Sequence, residues 1–443
     1  MTTVEVYFAR FRVGRIDVRQ DGALGFTYDP AWLATEGAFP ISLSMPLRPE
    51  AYPSQIISPW LANLLPEEEQ LDMLTRSLGR SRADVLGLLS DIGGDTAGAL
   101  SFGTPSDPAA WRCTPLTDFY DTDDPGEALD RHFADLDQRP FLAGEDSVRL
   151  SLAGGQKKSA LAVLDAQGTP VLRLPRKGDQ LAIPQAGAPS TVILKPDNPR
   201  LPGIAENEVY CLRLAAAIGL PAAEAATLVT PTRTAICVLR YDRRLARSGS
   251  LQRIHQEDFA QANSLPPGRK YEHGTVPGLS LHQLLETGRR LGPRSALGLL
   301  DQVIFNILVA NTDGHAKNYS LLLPLRDGPR LSPLYDVSTV LMWPHVVQKF
   351  AQTLAGKRRK PGKMAARHWE TLAETSGFRP ADVMDRVQQL VDRMVAARVA
   401  TTKGVSAGPG VTPGYVEETA RLIEKNALRI AGRLSRPAAR LPD

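Results

Sequence analysis

Residues 294–336 set the tightest limit on what this chain can fold into. An apolar pattern of helical period over 294–309 gives way to a polar loop, Asn311-Thr312-Asp313-Gly314-His315-Ala316-Lys317-Asn318. An apolar strand over 319–323 follows, then the turn Arg326-Asp327-Gly328. A second strand then leads through Leu331-Ser332-Pro333-Leu334-Tyr335 to Asp336. Two strands joined by a turn bring their far ends together, so a loop residue such as Asn318 and the terminal Asp336 can share one site.

That order matches the parts phosphoryl transfer uses in protein kinases: an Asp near the attacking hydroxyl, an Asn five positions on, and a second Asp after a hairpin. Asp313 would orient the acceptor hydroxyl and take its proton, while Asn318 and Asp336 would offer oxygens to Mg²⁺. Mg²⁺ commonly takes only one or two carboxylates from the protein. Each residue alone reads more readily as turn or cap chemistry. The set, in this order, carries the inference.

Three other stretches fit the same chemistry. Ser151-Leu152-Ala153-Gly154-Gly155-Gln156-Lys157-Lys158-Ser159 lies between two apolar runs, and its paired glycines would let backbone N–H groups approach phosphate oxygens. It lacks the G-x-x-x-x-G-K-[ST] spacing, and a strand rather than a helix follows, so a Gly-Gly hairpin turn is the alternative. Lys195 closes the apolar run 191–194 and can reach ATP phosphates, with Glu208 on the next helix as the carboxylate that would orient it. Their plainer roles are a strand-end solubiliser and a favourable helix N-terminal charge. Leu239-Arg240-Tyr241 follows a buried-type strand, where a kinase connects its lobes and holds adenine through backbone groups.

The rest of the chain supplies a frame. Residues 4–18 alternate as strands with Val13-Gly14-Arg15 as a turn; 24–28, 41–43, 148–152, 160–164, 191–194 and 235–239 read as further strands. Ser58-Pro59 has the order of a helix start, and 71–89 reads as more helix. A helix over 205–218 ends at Gly219, and the Pro- and Asp-rich stretch 104–126 is the best candidate boundary. The segment 402–413 reads as a linker to a last helix over 416–434. The expected spans are a small α+β subdomain over 1–105, a β-rich ATP-binding lobe over 127–245 and a helical catalytic lobe over 246–443.

Composition narrows the class. Three cysteines without C-x-x-C spacing argue against a disulfide framework or structural zinc. No apolar run is long enough to span a membrane, and the N-terminus does not resemble a secretory signal, so a cytoplasmic protein is expected. The net charge of +4 is a small difference between 52 basic and 48 acidic residues, and permits contact with nucleic acid without requiring it. The basic run Lys357-Arg358-Arg359-Lys360 reads first as a solvated loop.

Taken together, these elements resemble the HipA-type serine/threonine kinases, the toxin halves of bacterial toxin–antitoxin pairs. The resemblance is carried by SLAGGQKKSAL, VILKPD, NEVYCLRLAAAIGL, RYDRR, QEDFAQ, NTDGHAKNYSLLL and LSPLYDVS. Earlier in the chain FTYDPAWLA, ISLSMPL, NLLPE and IGGDTAGAL extend it to nearly the full length. It implies an α+β, two-lobed protein-kinase-like fold with a β-rich N-terminal lobe, an extra N-terminal α+β subdomain and a mainly helical C-terminal lobe. Asp313 then matches the proton acceptor, Asn318 and Asp336 the metal ligands, and Lys195 the ATP-binding lysine. Ala153, Gly154, Gly155, Gln156, Lys157 and Lys158 match the phosphate loop. His315, Lys317 and Tyr335 line the nucleotide site, and Leu239, Arg240 and Tyr241 the adenine connection.

Ser151 matches a serine that family members phosphorylate on themselves, which switches them off. A dianion beside a loop built for ATP phosphates would compete with them. The family further implies a protein substrate, a HipB-like antitoxin and DNA reached through that antitoxin. Some positions depart from the family: Leu239 stands where an acidic residue is familiar, and Ala373-Glu374-Thr375-Ser376-Gly377 lacks the basic residues that touch operator DNA. A small-molecule kinase on this scaffold and a non-catalytic nucleotide-binding co-repressor are the competing readings.

Overall fold

The computed structural model describes residues 3–145 and 147–434; the outermost residues of the expected spans 1–105 and 246–443 lie outside the described residues. The chain divides into two compact units. The first, β-rich, comprises residues 1–196, 228–267 and 320–329; the second, mainly helical, comprises 197–227, 268–319 and 330–443.

In the first unit a four-stranded antiparallel sheet orders Leu24–Tyr28, Phe11–Val18, Thr3–Phe8 and Leu100–Phe102. The turn lies at Ala9 and Arg10, not at Val13-Gly14-Arg15, which sits within the second strand. Gly14 is needed there for another reason: a Cβ would meet Thr27 O at 2.4 Å and the Phe26 ring at 2.7 Å. The glycine marks a close approach, not a bend. A larger sheet sets Thr234–Leu239, Val192–Pro196, Ser159–Leu164, Gln180–Gln185 and Arg112–Pro115 side by side. Leu161, Val192, Leu194, Ala235 and Cys237 from it are fully buried with Phe133, Phe141 and Leu152.

Several other readings need correction. Residues 41–43 and 148–152 are not strands; each contributes only an isolated bridge, Ser42 to Met45 and Leu150 to Asp95. Their apolar residues are buried through loop packing, which periodicity does not separate from a strand. The helix near Ser58-Pro59 runs over Ser54–Ala62 and contains Pro59. The residue four back, Gln55, is exposed, so its unmatched carbonyl costs little. The helical stretch 71–89 is two helices, Glu68–Leu78 and Val85–Ile92, parted at Gly79 with φ +62°. The stretch 104–126 is built into the sheet through Arg112–Pro115, which pairs with Gln180–Gln185.

Two buried ionic groups tie distant segments of this unit together. Asp95 accepts from Arg243 Nη2 and Arg253 Nε, both at 2.8 Å, and from Ser190 Oγ at 2.6 Å, with Arg240 Nη1 at 3.4 Å. Asp242 takes Arg240 Nη2 at 2.7 Å and Arg243 Nη1 at 3.0 Å. Burial alone would raise the Asp95 pKa, but the three guanidiniums outweigh it and hold the carboxyl well below the usual range. Arg243, buried among fellow cations, is pulled down to about 10. Glu257 accepts from Leu43 N at 2.7 Å and Trp60 Nε1 at 3.2 Å, and burial pushes its pKa up to about 8.

The second unit is held by its long helix, Pro380–Ser406, which packs on Pro413–Ala431, Ile204–Ala217 and Ala366–Thr375. Proline at the first turn starts both Pro380–Ser406 and Pro293–Leu308, where its missing N–H costs nothing. Ser280 and Gln283 form a reciprocal cap on Leu281–Arg290. The stretch read as a linker from 402 is helical up to Ser406. Arg386 grips Asp301 with two bonds of 2.6 Å, and Asn426 Nδ2 donates to Leu308 O at 2.8 Å, capping the end of Pro293–Leu308.

Removing the carboxylate of Asp95 strands buried arginines, so Asp95→Ala is expected to lose about 3–5 kcal/mol of stability in denaturant unfolding. Glu257 gives a pH signature of opposite kind. Its folded pKa is raised, so the stability it contributes is full below about pH 4.5 and is lost as pH rises through about 8. Denaturation midpoints across that range should fall in the wild type relative to Glu257→Gln.

Candidate active site

The helix Pro293–Leu308 ends at a left-handed Ala310 (φ +60°), which turns the chain into the polar loop. The loop hangs from a ladder of amides. Asn306 Nδ2 donates to Tyr319 Oη at 2.9 Å, Asn311 Nδ2 to Asn306 Oδ1 at 3.0 Å, and Asp313 N to Asn311 Oδ1 at 3.1 Å. Asn306 is the one amide in the apolar run Val303-Ile304-Phe305-Asn306-Ile307-Leu308, a signal that sequence reading passed over. Burial pushes the Tyr319 phenol up to about 12, so it stays a neutral partner for Asn306.

Asn318 and Asp336 meet directly, Nδ2 to Oδ2 at 3.0 Å. His315 N donates to Asn318 Oδ1 at 3.2 Å, and Tyr335 Oη to Lys317 O at 2.7 Å. Asp336 itself has φ +57°, a conformation that costs a non-glycine residue about 1–2 kcal/mol and recurs at functional sites. The chain beyond it is clamped to the helix Ile204–Ala217: Thr339 N donates to Asn207 Oδ1 at 2.8 Å and Asn207 Nδ2 to Thr339 O at 3.0 Å. Asp313 is exposed and takes a hydrogen bond from Tyr271 Oη at 2.8 Å. Asp313, His315, Lys317, Asn318, Tyr335 and Asp336 thus belong to one small region of the helical unit. Tyr271 lies outside every stretch singled out in the sequence, and Asn207, though it opens NEVYCLRLAAAIGL, carries no sign there of its distant partner.

Within the β-rich unit the glycine loop has its own seat. Ser151 is fully buried; its Oγ donates to Leu64 O at 2.7 Å and its N to Asp95 O at 3.1 Å. Gly154, at φ +102°, bridges Pro66 and accepts from Glu67 N at 3.3 Å. The stretch Asn63-Leu64-Leu65-Pro66-Glu67 is therefore the cradle of the loop. Lys158 Nζ donates to Ala153 O at 2.6 Å, and Lys157 pairs with Asp137. Gly155 is exposed and Gln156 half-buried.

Lys195 is the fourth residue of the strand Val192–Pro196, opposite Ile236, and is largely buried. Leu239 ends the strand Thr234–Leu239 and is half-buried, as is Tyr241. Arg240 is committed: its amide donates to Thr191 O at 2.9 Å and its guanidinium lies in the Asp95–Asp242 cluster. Any contact it makes with a base falls to its carbonyl. Glu208 is buried on the helix Ile204–Ala217.

These sequences and folds have relatives. A family model described as the HipA-like C-terminal domain matches residues 150–398, and one described as the HipA N-terminal domain matches 4–103. Y4mE of Sinorhizobium fredii, provisionally named a kinase, is 38% identical over 388 residues, 87% of this chain and 88% of its own. The serine/threonine-protein kinase toxin HipA of Shewanella oneidensis is 29% identical over 367 residues, 80% of this chain and 78% of its own. A solved structure of Shewanella oneidensis HipA with HipB and operator DNA matches with a TM-score of 0.81 at 24% identity, covering 97% of this chain and 98% of that one. The α+β fold expected from the sequence is the fold found.

Asn207→Ala would leave the buried amide of Thr339 without its partner. A loss of about 1–3 kcal/mol in denaturant unfolding is expected, because orphaned buried groups carry their full desolvation cost.

Proposed function

The chain belongs to the HipA family, and on that premise we propose that it is an ATP-dependent serine/threonine protein kinase of the toxin type. The observation that carries this reading is the Asn318–Asp336 hydrogen bond, closed by two residues whose order in the chain marks them as metal ligands. An exposed carboxylate and an adjoining amide suit Mg²⁺, a hard cation that fills its remaining positions with phosphate and water oxygens. Mg²⁺, when bound there, supplies the charge that neutralises the phosphates of ATP.

The chain's own residues divide the remaining work. Asp313 orients the acceptor hydroxyl and takes its proton, and its exposure leaves it open to a protein substrate. Lys195 is assigned the ATP phosphates, and Glu208 the charge of that lysine. Residues 153–158 present backbone N–H groups to phosphate, and 239–241 hold adenine. His315, Lys317 and Tyr335 shape the nucleotide site. The same assignment gives Ser151 as the site of self-phosphorylation. Its buried hydroxyl and its bond to Leu64 O mean the loop must leave its cradle first, since a dianion facing a carbonyl oxygen is repelled. The partner proposed is a HipB-like antitoxin, with DNA reached through it, and the substrate a cellular protein, an aminoacyl-tRNA synthetase being the family's suggestion.

Incubation with [γ-³²P]ATP and cell extract is expected to label protein bands; label in metabolites alone would favour a small-molecule kinase. Asp313→Ala should cut transfer by at least about 100-fold while ATP affinity stays within a few-fold. Mass spectrometry should find phosphate on Ser151 in the wild type and none in Asp313→Ala.

A further inference from the structure

The amide ladder under the polar loop holds its backbone but leaves the Asp313 side chain to other hands. A carboxylate turns readily about its last bond, and its two oxygens are equivalent until a partner distinguishes them. Here the partner is Tyr271, whose Oη donates to Oδ1 at 2.8 Å.

The half-buried phenol is steadied by its ring contacts and by the segment that carries it. Its ring stands edge-on to His315, with centroids 4.9 Å apart and planes at 83°. The preceding residue, Lys270, gives its carbonyl to Ala316 N at 3.1 Å, and its ammonium lies 5.3 Å from the Tyr271 ring. The following residue, Glu272, accepts from Thr353 N at 2.6 Å, and His273 Nε2 lies 2.9 Å from Thr353 Oγ1. Gln352 and Leu354, flanking Thr353, are buried. Gly278 N returns to Tyr271 O at 2.9 Å, closing the segment on itself. A gate would hang from one or two weak contacts, whereas this segment is tied to the polar loop and to a buried stretch at once.

We propose that Tyr271 is a positioning residue for phosphoryl transfer: its hydroxyl holds Oδ1 of Asp313 so that Oδ2 is left for the acceptor hydroxyl. The assignment rests on the reading of Asp313 as proton acceptor and extends it to the group that aims it. A phenol suits the task, because it donates while remaining neutral and does not compete for the acceptor's proton. Small misplacements of a reacting group are costly, which is why such a group is worth fixing.

The test compares wild type, Tyr271→Phe and Tyr271→Ala in the full chain, by the rate of ³²P incorporation from [γ-³²P]ATP into the chain itself across ATP concentrations. Tyr271→Phe keeps the ring on His315 and removes only the hydroxyl. It should lower the maximal rate about 10-fold, the loss expected for one hydrogen bond to a charged group, with half-saturating ATP within about twofold. Tyr271→Ala should fall no more than about twofold further. A Phe variant as fast as wild type overturns the proposal, as does a defect seen only in Ala, which would make the ring and not the hydroxyl responsible. A Phe variant altered only in half-saturating ATP also overturns it. A wild type that incorporates no phosphate defeats the kinase reading itself, and the role of Tyr271 with it.

Discussion

A carboxylate with almost no exposed surface, Asp95, holds the β-rich unit together. Charge buried in this way is tolerated only when its partners all arrive, since each missing one leaves another group unpaired in a low-dielectric interior. Those partners come from residues 190, 240, 243 and 253, and the backbone of Asp95 also accepts from Ser151 N. One acidic residue therefore fixes the start of the glycine loop through its backbone and the strand exit at Arg240 through its side chain, within the same unit. Motifs that look unrelated in the sequence, IGGDTAGAL and RYDRR, are the two halves of this cluster. ISLSMPL and QEDFAQ are coupled likewise, through Glu257 and the amide of Leu43.

Local patterns carried much of the fold. The strands Ser159–Leu164, Val192–Pro196 and Thr234–Leu239 and the helices Ile204–Ala217 and Pro293–Leu308 are long, strongly patterned and close to where periodicity put them. Errors fell where a residue type has two physical uses. Gly14 reads as a turn because glycine turns chains, yet here it admits the Phe26 ring. Ile41 and Leu150 read as strand because they are apolar, yet loop packing buries them. Pro59 reads as a helix start, but an exposed Gln55 lets it sit inside one.

Site residues divide along the same line. Asp313, Asn318 and Asp336 were legible because their spacing is short and one hairpin relates them. Tyr271 and Asn207 were not, because nothing in a tyrosine or an asparagine announces a partner 42 or 132 residues away. The cradle of the glycine loop, residues 63–67 (NLLPE), shares in the family resemblance, but its residue types suggest no role. Only the Ser151–Leu64 and Glu67–Gly154 hydrogen bonds give it one.

The seat of Ser151 has a temporal consequence. A hydroxyl with no exposed surface reacts only in the fraction of molecules that have released it. If release costs about 2–4 kcal/mol, that fraction is on the order of one molecule in thirty to one in a thousand. Whatever reagent modifies this serine then works at its own speed multiplied by that fraction, which the seating of residues 151–155 on 63–67 sets. The cradle acts as a clock, and a deeper seat makes it run slower.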